Sequence, residues 1–178
     1  MQNKSAQATM HNVDLELKQD KKLASEVAEL LVAKGMTLAT AESCTGGAIG
    51  ALLTSLAGSS SWFNGGIISY TNDAKINLLG VPPGIINKYG AVSQEVVEYM
   101  ATGGCEALSS SMCVAVSGVA GPGGGTPSKP VGTVWIAWCA NGVVANSQLY
   151  QLSGNRDKVQ NTAVRMALKG IISCFLED

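Results

Sequence analysis

Three short, largely apolar runs each empty into a turn of small and polar residues, and this pattern constrains the fold most. Met36–Ala41 leads into Glu42-Ser43-Cys44-Thr45-Gly46-Gly47, Gly66–Tyr70 into Thr71-Asn72-Asp73, and Met112–Ser117 into the glycine-rich stretch Gly118–Gly125. Runs of this length between turn signals read as buried strands. Helical spacing fills the intervals. From Asp14 to Lys34 the apolar positions Leu23, Val27, Leu30 and Leu31 recur on one face, and Gly35 is a natural stop. Cys44 or Thr45 opens a helix to about Leu56. A short helix ends at Leu79, the loop Gly80–Gly84 follows, and Ser93 caps a helix to about Leu108. Val131–Cys139 and Val143–Leu152 flank Ala140-Asn141-Gly142, a strong signal for a hairpin with a type I′ turn. Asn155–Phe175 is the last helix, with Val159, Ala163, Met166, Ala167 and Ile171 on one face.

The order of elements predicts an α/β fold: a single three-layer α/β/α domain with a mixed sheet. Strands such as Val134-Trp135-Ile136-Ala137-Trp138 are apolar on both faces, so helices should cover both sides. With 178 residues, 46% hydrophobic and 14% charged, the chain can bury a sizeable core. Residues 1–12 are expected to be a disordered leader and 13–178 the domain. In an open α/β sheet the site lies at the C-terminal edge of the strands, where the polar turns should converge.

Composition excludes several functions. No apolar stretch reaches the about 18–20 residues that span a bilayer, and the polar N-terminus lacks the apolar core of a secretory signal. Net charge is −1 and the arginines are Arg156 and Arg165, which argues against a nucleic-acid surface. The five cysteines, Cys44, Cys105, Cys113, Cys139 and Cys174, form no CxxC pair and read as reduced thiols of a cytoplasmic protein. The single histidine, His11, lies in the polar leader, so neither a zinc site nor a histidine-based triad is expected. Acid–base chemistry would fall to lysine, tyrosine or carboxylate. Buried strands and exposed aromatics are compatible with a homodimer.

Ser43 stands between a buried strand and a helix start, where unpaired N–H groups can bind a phosphate or a developing oxyanion. Ser43 or Thr45 can equally serve as a plain helix cap. Lys75 falls in the first turn of the helix after Thr71-Asn72. There the dipole and partial burial would lower its pKa and favour a neutral amine able to deprotonate a serine; a solvated surface lysine is the alternative. Tyr70 can orient that lysine or relay a proton, or be a strand-end aromatic. Glu42 can position a substrate amide or a water, pair with Lys75, or act as a capping charge. The 117–125 loop matches neither a P-loop nor a dinucleotide fingerprint, but its glycines can admit an anion or ribose. Lys129 and Arg156 are the cations nearest the candidate loops in sequence.

Taken together, "AESCTGG", "GSSSWFNGGIISYTNDAK", "GAVSQEVVEYMA", "VSGVAGPGGGTPSKPVGTVW" and "SGNRDKV" resemble the CinA C-terminal domain family from about Leu23 to Ile172. Active members of that family are nicotinamide-nucleotide amidases. The resemblance implies hydrolysis of the carboxamide of nicotinamide mononucleotide, giving nicotinic acid mononucleotide and ammonia, by a Ser-Lys mechanism without metal or other cofactor. It implies Ser43 as nucleophile, Lys75 as general base and Tyr70 as a supporting hydroxyl. It also brings Ser117 and Gly118 to the pocket wall and gives Arg156 a substrate role. Glu42 and the Cys44-Thr45-Gly46 backbone complete the expected substrate contacts. No nucleic-acid or membrane partner is expected.

The chain departs from the family pattern at two places. Asn155 stands where members usually have aspartate, and an arginine common a few residues later is replaced around Gln160, removing an anion partner. The large N-terminal domain of many members, which resembles molybdopterin-binding proteins, is not expected here, so the chain looks like the stand-alone type. The alternatives are a non-catalytic nucleotide-binding or regulatory module of the competence- and damage-inducible type, or an amidase for another small amide.

Overall fold

The computed structural model describes the backbone of residues 2–176 and the side chains of residues 15–174. Six helices and five strands are seen among them: α1 (Gln2–Lys34), β1 (Leu38–Glu42), α2 (Ala48–Thr54), β2 (Phe63–Ile68), α3 (Asn72–Leu79), α4 (Pro83–Tyr89), α5 (Gln94–Ala107), β3 (Met112–Gly118), β4 (Thr133–Ala140), β5 (Val143–Gln151) and α6 (Arg156–Leu176). The sheet order is β2-β1-β3-β4-β5. β1 is parallel to β2 and β3, with Thr40 opposite Gly66 and Val114. β3–β4 and β4–β5 are antiparallel, with Ala115 opposite Ala137 and Ala137 opposite Ser147. The sheet is mixed, as expected.

Two cores lie on its two faces. Leu31 of α1, Ile49 and Leu53 of α2, and Leu168 and Ile171 of α6 pack with Leu38, Val114, Ile136 and Trp138 of the sheet. On the other face, Leu79 of α3, Ile86 of α4 and Val97 and Met100 of α5 meet Ala39, Ala41, Cys113, Ala115 and Ala137. The second face carries small side chains, which lets α5 approach closely. A Cβ at Gly104 would sit 2.5 Å from Cys113 Sγ. Helix layers on both sides make this the three-layer α/β/α domain that the strand pattern implies.

Boundaries differ where local chemistry overrides the apolar pattern. The backbone of the segment expected as a leader is helical from Gln2, as the beginning of α1, and neither Gly nor Pro interrupts it before Gly35. α2 starts at Ala48 rather than at Cys44 or Thr45, because Gly46 and Gly47 take φ of +63° and +97° and hold the preceding turn out of helix. β2 lies three residues earlier than expected, at Phe63, and ends before Ser69. The loop expected at 80–84 contains the start of α4, with Pro83 in the first helical turn, a favoured place for proline. The hairpin turn is as read: Asn141 and Gly142 both have positive φ, +52° and +79°.

Candidate active site

Alternation along β1 decides which side chains reach the cleft. Leu38 packs on the α1/α2/α6 face, Ala39 and Ala41 on the α3–α5 face. Glu42 follows Leu38 and Thr40, and Ser43 follows Ala39 and Ala41, so neighbouring residues go to opposite sides of the sheet. The Ser43 N–H donates to Val116 O at 3.0 Å, tying the turn to β3, and Gly46 N–H donates to Ser43 O at 3.1 Å.

On the α3 side, Lys75 Nζ lies 2.9 Å from Ser43 Oγ and donates to Ser69 O at 2.7 Å. Ser69 is itself fixed, its N–H donating to Glu42 O at 2.7 Å. Thr71 caps α3 by accepting the Ala74 N–H at 3.1 Å, which sets Lys75 in the first turn, aimed inward. Lys75 is only 1% exposed. Burial lowers its pKa from 10.5 to about 8, because an ammonium loses its hydration there. Near neutral pH a usable fraction is therefore the free amine. The adjacent Cys44 thiol is pushed up to about 12 by burial, so it stays protonated. Of the two adjacent side chains, the hydroxyl is the one hydrogen-bonded to the lysine.

Ser43, Cys44, Tyr70, Lys75, Ser117, Gly118 and Arg156 line one cleft of about 180 Å³, together with Asn72, Ala91, Val92 and Ala120. Ser117, on the same face as Cys113 and Ala115, donates its hydroxyl to Ala91 O at 2.7 Å and so pins the loop before α5 to β3. Gly118 has no room for a side chain, since a Cβ would fall 2.8 Å from Thr133 O. Tyr70 is 58% exposed at the mouth. Its hydroxyl accepts from Arg156 Nη2 at 3.0 Å, and Arg156 Nη1 donates to Gly121 O at 2.9 Å. The tyrosine hydroxyl is thus engaged by Arg156, and the lysine by Ser43 and Ser69.

The side chains of Glu42, Thr45 and Lys129, and Gly46, do not line the cleft. Glu42 is 1% exposed and does not line the cleft. Its carboxylate accepts the N–H groups of Gly47, Ile49 and Gly50 at 3.0, 3.1 and 2.9 Å, and the Thr40 hydroxyl at 3.2 Å. It closes the start of α2 from the opposite side of the sheet and does not pair with Lys75. Gly46 shapes the turn. Thr45 Oγ1 is the one buried side-chain oxygen or nitrogen among the described residues with no hydrogen-bond partner. Lys129 Nζ donates to Tyr89 O, away from the cleft.

Sequence reasoning missed the Ser69 carbonyl, Ala91, Val92 and Asn72. A backbone carbonyl carries no residue signature, whereas Asn72, next to a recognised cap, offered one. The two departures also find places. Asn155 Oδ1 accepts the Lys158 N–H at 3.0 Å as a cap on α6, and Gln160 Nε2 donates to Cys44 O at 2.7 Å. Among the described residues no group of three His, Cys, Asp or Glu side chains could hold a metal ion, and no helix is long and apolar enough to cross a membrane.

A family model described as the CinA C-terminal domain matches residues 20–175. A nicotinamide-nucleotide amidohydrolase PncC from Pseudomonas putida is 47% identical over 155 residues, covering 87% of this chain and 96% of the relative. The protein of the same name from Escherichia coli K12 is 41% identical over 156 residues, covering 88% and 94%. Among solved structures, the competence/damage inducible protein CihA from Agrobacterium tumefaciens aligns with a TM-score of 0.84 at 39% identity, covering 88% of this chain and 95% of that one. The extent of these matches, over a fold with the same layers, leads to one conclusion: the chain belongs to the CinA C-terminal domain family.

Proposed function

We propose that this protein is a nicotinamide-nucleotide amidase that hydrolyses the carboxamide of nicotinamide mononucleotide to nicotinic acid mononucleotide and ammonia, with Ser43 as nucleophile and Lys75 as base. The observation that carries the reading is the 2.9 Å contact between Lys75 Nζ and Ser43 Oγ inside a lined cleft. Relatives of nearly the same length at 41–47% identity bear the amidohydrolase name.

Neutral Lys75 takes the Ser43 proton as Oγ attacks the carboxamide carbon. The developing oxyanion needs donors that no protein acceptor occupies. The Ser43 and Gly46 N–H groups are already bonded, to Val116 O and Ser43 O. The Thr45 N–H donates to no acceptor among the described residues, and the Cys44 N–H faces only its own thiol sulfur, so these two are the candidates. Lys75, now an ammonium, returns its proton to the leaving nitrogen, which departs as ammonia. A water then attacks the acyl ester with Lys75 again as base, releasing the acid and restoring Ser43.

The cleft, at about 180 Å³, is below the roughly 300–1,000 Å³ typical of ligand sites. The reacting end of the nucleotide enters it and the remainder lies along the mouth. There the Arg156 guanidinium can meet a phosphate and Tyr70 can flank the ribose or ring. Arg156 lines the cleft and Lys129 does not, so that role falls to Arg156. The buried thiols Cys44, Cys105, Cys113 and Cys139, free of disulfides, support a cytoplasmic setting. β5, without charge or proline and with Val143 and Leu149 exposed, supports a homodimer through its free edge.

The test is ammonia release from nicotinamide mononucleotide by the purified chain, with Ser43→Ala and Lys75→Ala alongside. Release by the wild type and a loss of at least about a thousandfold in both variants is expected. A folded wild type that releases none would overturn the substrate assignment.

A further inference from the structure

The amide of Gln160 bridges α6 to the nucleophile turn. Nε2 donates to the carbonyl oxygen of Cys44, the residue after Ser43, at 2.7 Å. Because the partner is a carbonyl, it must be the NH2 end of the side chain that faces it. Gln160 and Arg156 are four residues apart and so share one face of the first turns of α6. Arg156 holds the far side of the cleft through Gly121 O and the Tyr70 hydroxyl. Asn155 caps the same helix end, and Val159 between them is fully buried, so this end of α6 is a fixed platform.

The consequence lies in peptide geometry. A trans peptide is planar, so its C=O and N–H point in opposite directions. Fixing the Cys44 carbonyl toward α6 fixes the Thr45 N–H away from α6. That N–H is left without an acceptor among the described residues, while the Ser43 and Gly46 N–H groups of the same turn are anchored. We propose that Gln160 is a positioning residue: by holding the Cys44 carbonyl it sets the 44–45 peptide so that the Thr45 N–H is preorganised to stabilise the oxyanion formed at the Ser43 adduct. Gln160 touches no reacting atom in this scheme, and it does not line the cleft. The inference rests on the Ser43–Lys75 reading of the site.

Two readouts test it, one of them independent of the natural substrate. The first is the rate at which an alkyl fluorophosphonate modifies Ser43, followed by mass spectrometry; this reaction also builds negative charge on oxygen at a Ser43 adduct. The second is the kcat and KM for nicotinamide mononucleotide. Gln160→Met keeps length and bulk without the donor, Gln160→Glu replaces the donor by an acceptor, and Gln160→Arg supplies a donor again. The expected result for Met and Glu is a fall of about 10–100-fold in both the modification rate and kcat, with KM within about threefold. Arg should recover most of the loss, and melting temperatures should show all variants folded.

Unchanged rates in Met and Glu would overturn the proposal, as would a rise in KM alone, which would make Gln160 a substrate contact. Failure of Arg to recover any rate in a folded protein would also count against it. A wild type that is modified at Ser43 but releases no ammonia would sink the substrate assignment and leave the Gln160 comparison decided by the modification rates. A wild type neither modified nor active would overturn both.

Discussion

At the scale of single residues, the cleft depends on two buried ionisable groups used in opposite ways. Glu42 is fully served, with three backbone N–H groups and one hydroxyl on its carboxylate. Such charge-assisted bonds are about twice as strong as neutral ones. Glu42→Gln keeps the shape but replaces one acceptor oxygen with an NH2 facing backbone donors. We expect a loss of about 1–3 kcal/mol, read as a lower denaturation midpoint with unchanged m-value. Lys75 is under-served, and its amine is held near a pKa of about 8 by burial. Between that value and the unfolded value of 10.5 the unfolded chain binds the extra proton, so this lysine adds stability as pH rises from about 8 to 10.5. Below pH 8 its burial costs stability, and that cost stays constant. Lys75→Met should therefore abolish turnover yet stabilise the fold at pH 7, on the order of 1–3 kcal/mol after the lost bond to Ser69 O is offset. The difference from wild type should shrink towards pH 10. A variant that melts lower than wild type at pH 7 would show that the lysine is not strained by its surroundings.

At the scale of elements, α6 sets the far wall of the site, and its first turn hangs on Asn155. The side-chain cap on Lys158 N–H is the sort that costs roughly 0.5–2 kcal/mol when truncated. Asn155→Ala should lower the melting temperature by a few degrees and also weaken the placement of Arg156. Asn155→Asp should match or exceed wild-type stability, because a carboxylate there also meets the positive end of the helix dipole. Thermal denaturation of the two variants checks both. Much of the element pattern was legible in the sequence. Ser93 capped α5 and Asn141-Gly142 turned the hairpin as read, because each residue acts on its own backbone. What escaped at the element ends was local backbone chemistry that the apolar pattern does not show. The start of α2 was displaced by glycine φ values, and α4 rose inside a loop that Pro83 had made look like a break. For the Ser43–Lys75 contact the residues offered a strand-end serine and a first-turn lysine, each with a plain structural alternative, and the family resemblance singled out the pair. The fate of Glu42 was not legible, because it depends on which face of β1 each side chain takes, and one residue of register reverses that.

At the scale of the whole molecule, topology brings the turns after β1, β2 and β3 to one edge of the sheet. The parallel pairing of β1 with both neighbours places the Ser43 turn between the Ser69–Lys75 segment and Ser117–Gly118. The base arrives on the β2-to-β3 crossover, which also brings Ala91 and Val92 to the cleft, while Ser117 and Gly118 come from the end of β3. α6, returning last, closes the edge with Arg156 and Gln160. In the proposed mechanism the Ser43 oxygen, deprotonated by a buried neutral lysine, attacks the carboxamide, and the neighbouring thiol of Cys44 does not. The most direct measurement is acid-quench trapping during turnover of nicotinamide mononucleotide across pH 6 to 9, with peptide mass spectrometry to locate the acyl group. The expected result is an acyl adduct on Ser43, whose formation rate rises about tenfold per pH unit at low pH and levels off near pH 8, as Lys75 loses its proton. An adduct on Cys44, or a formation rate on Ser43 that is flat from pH 6 to 9, would contradict it.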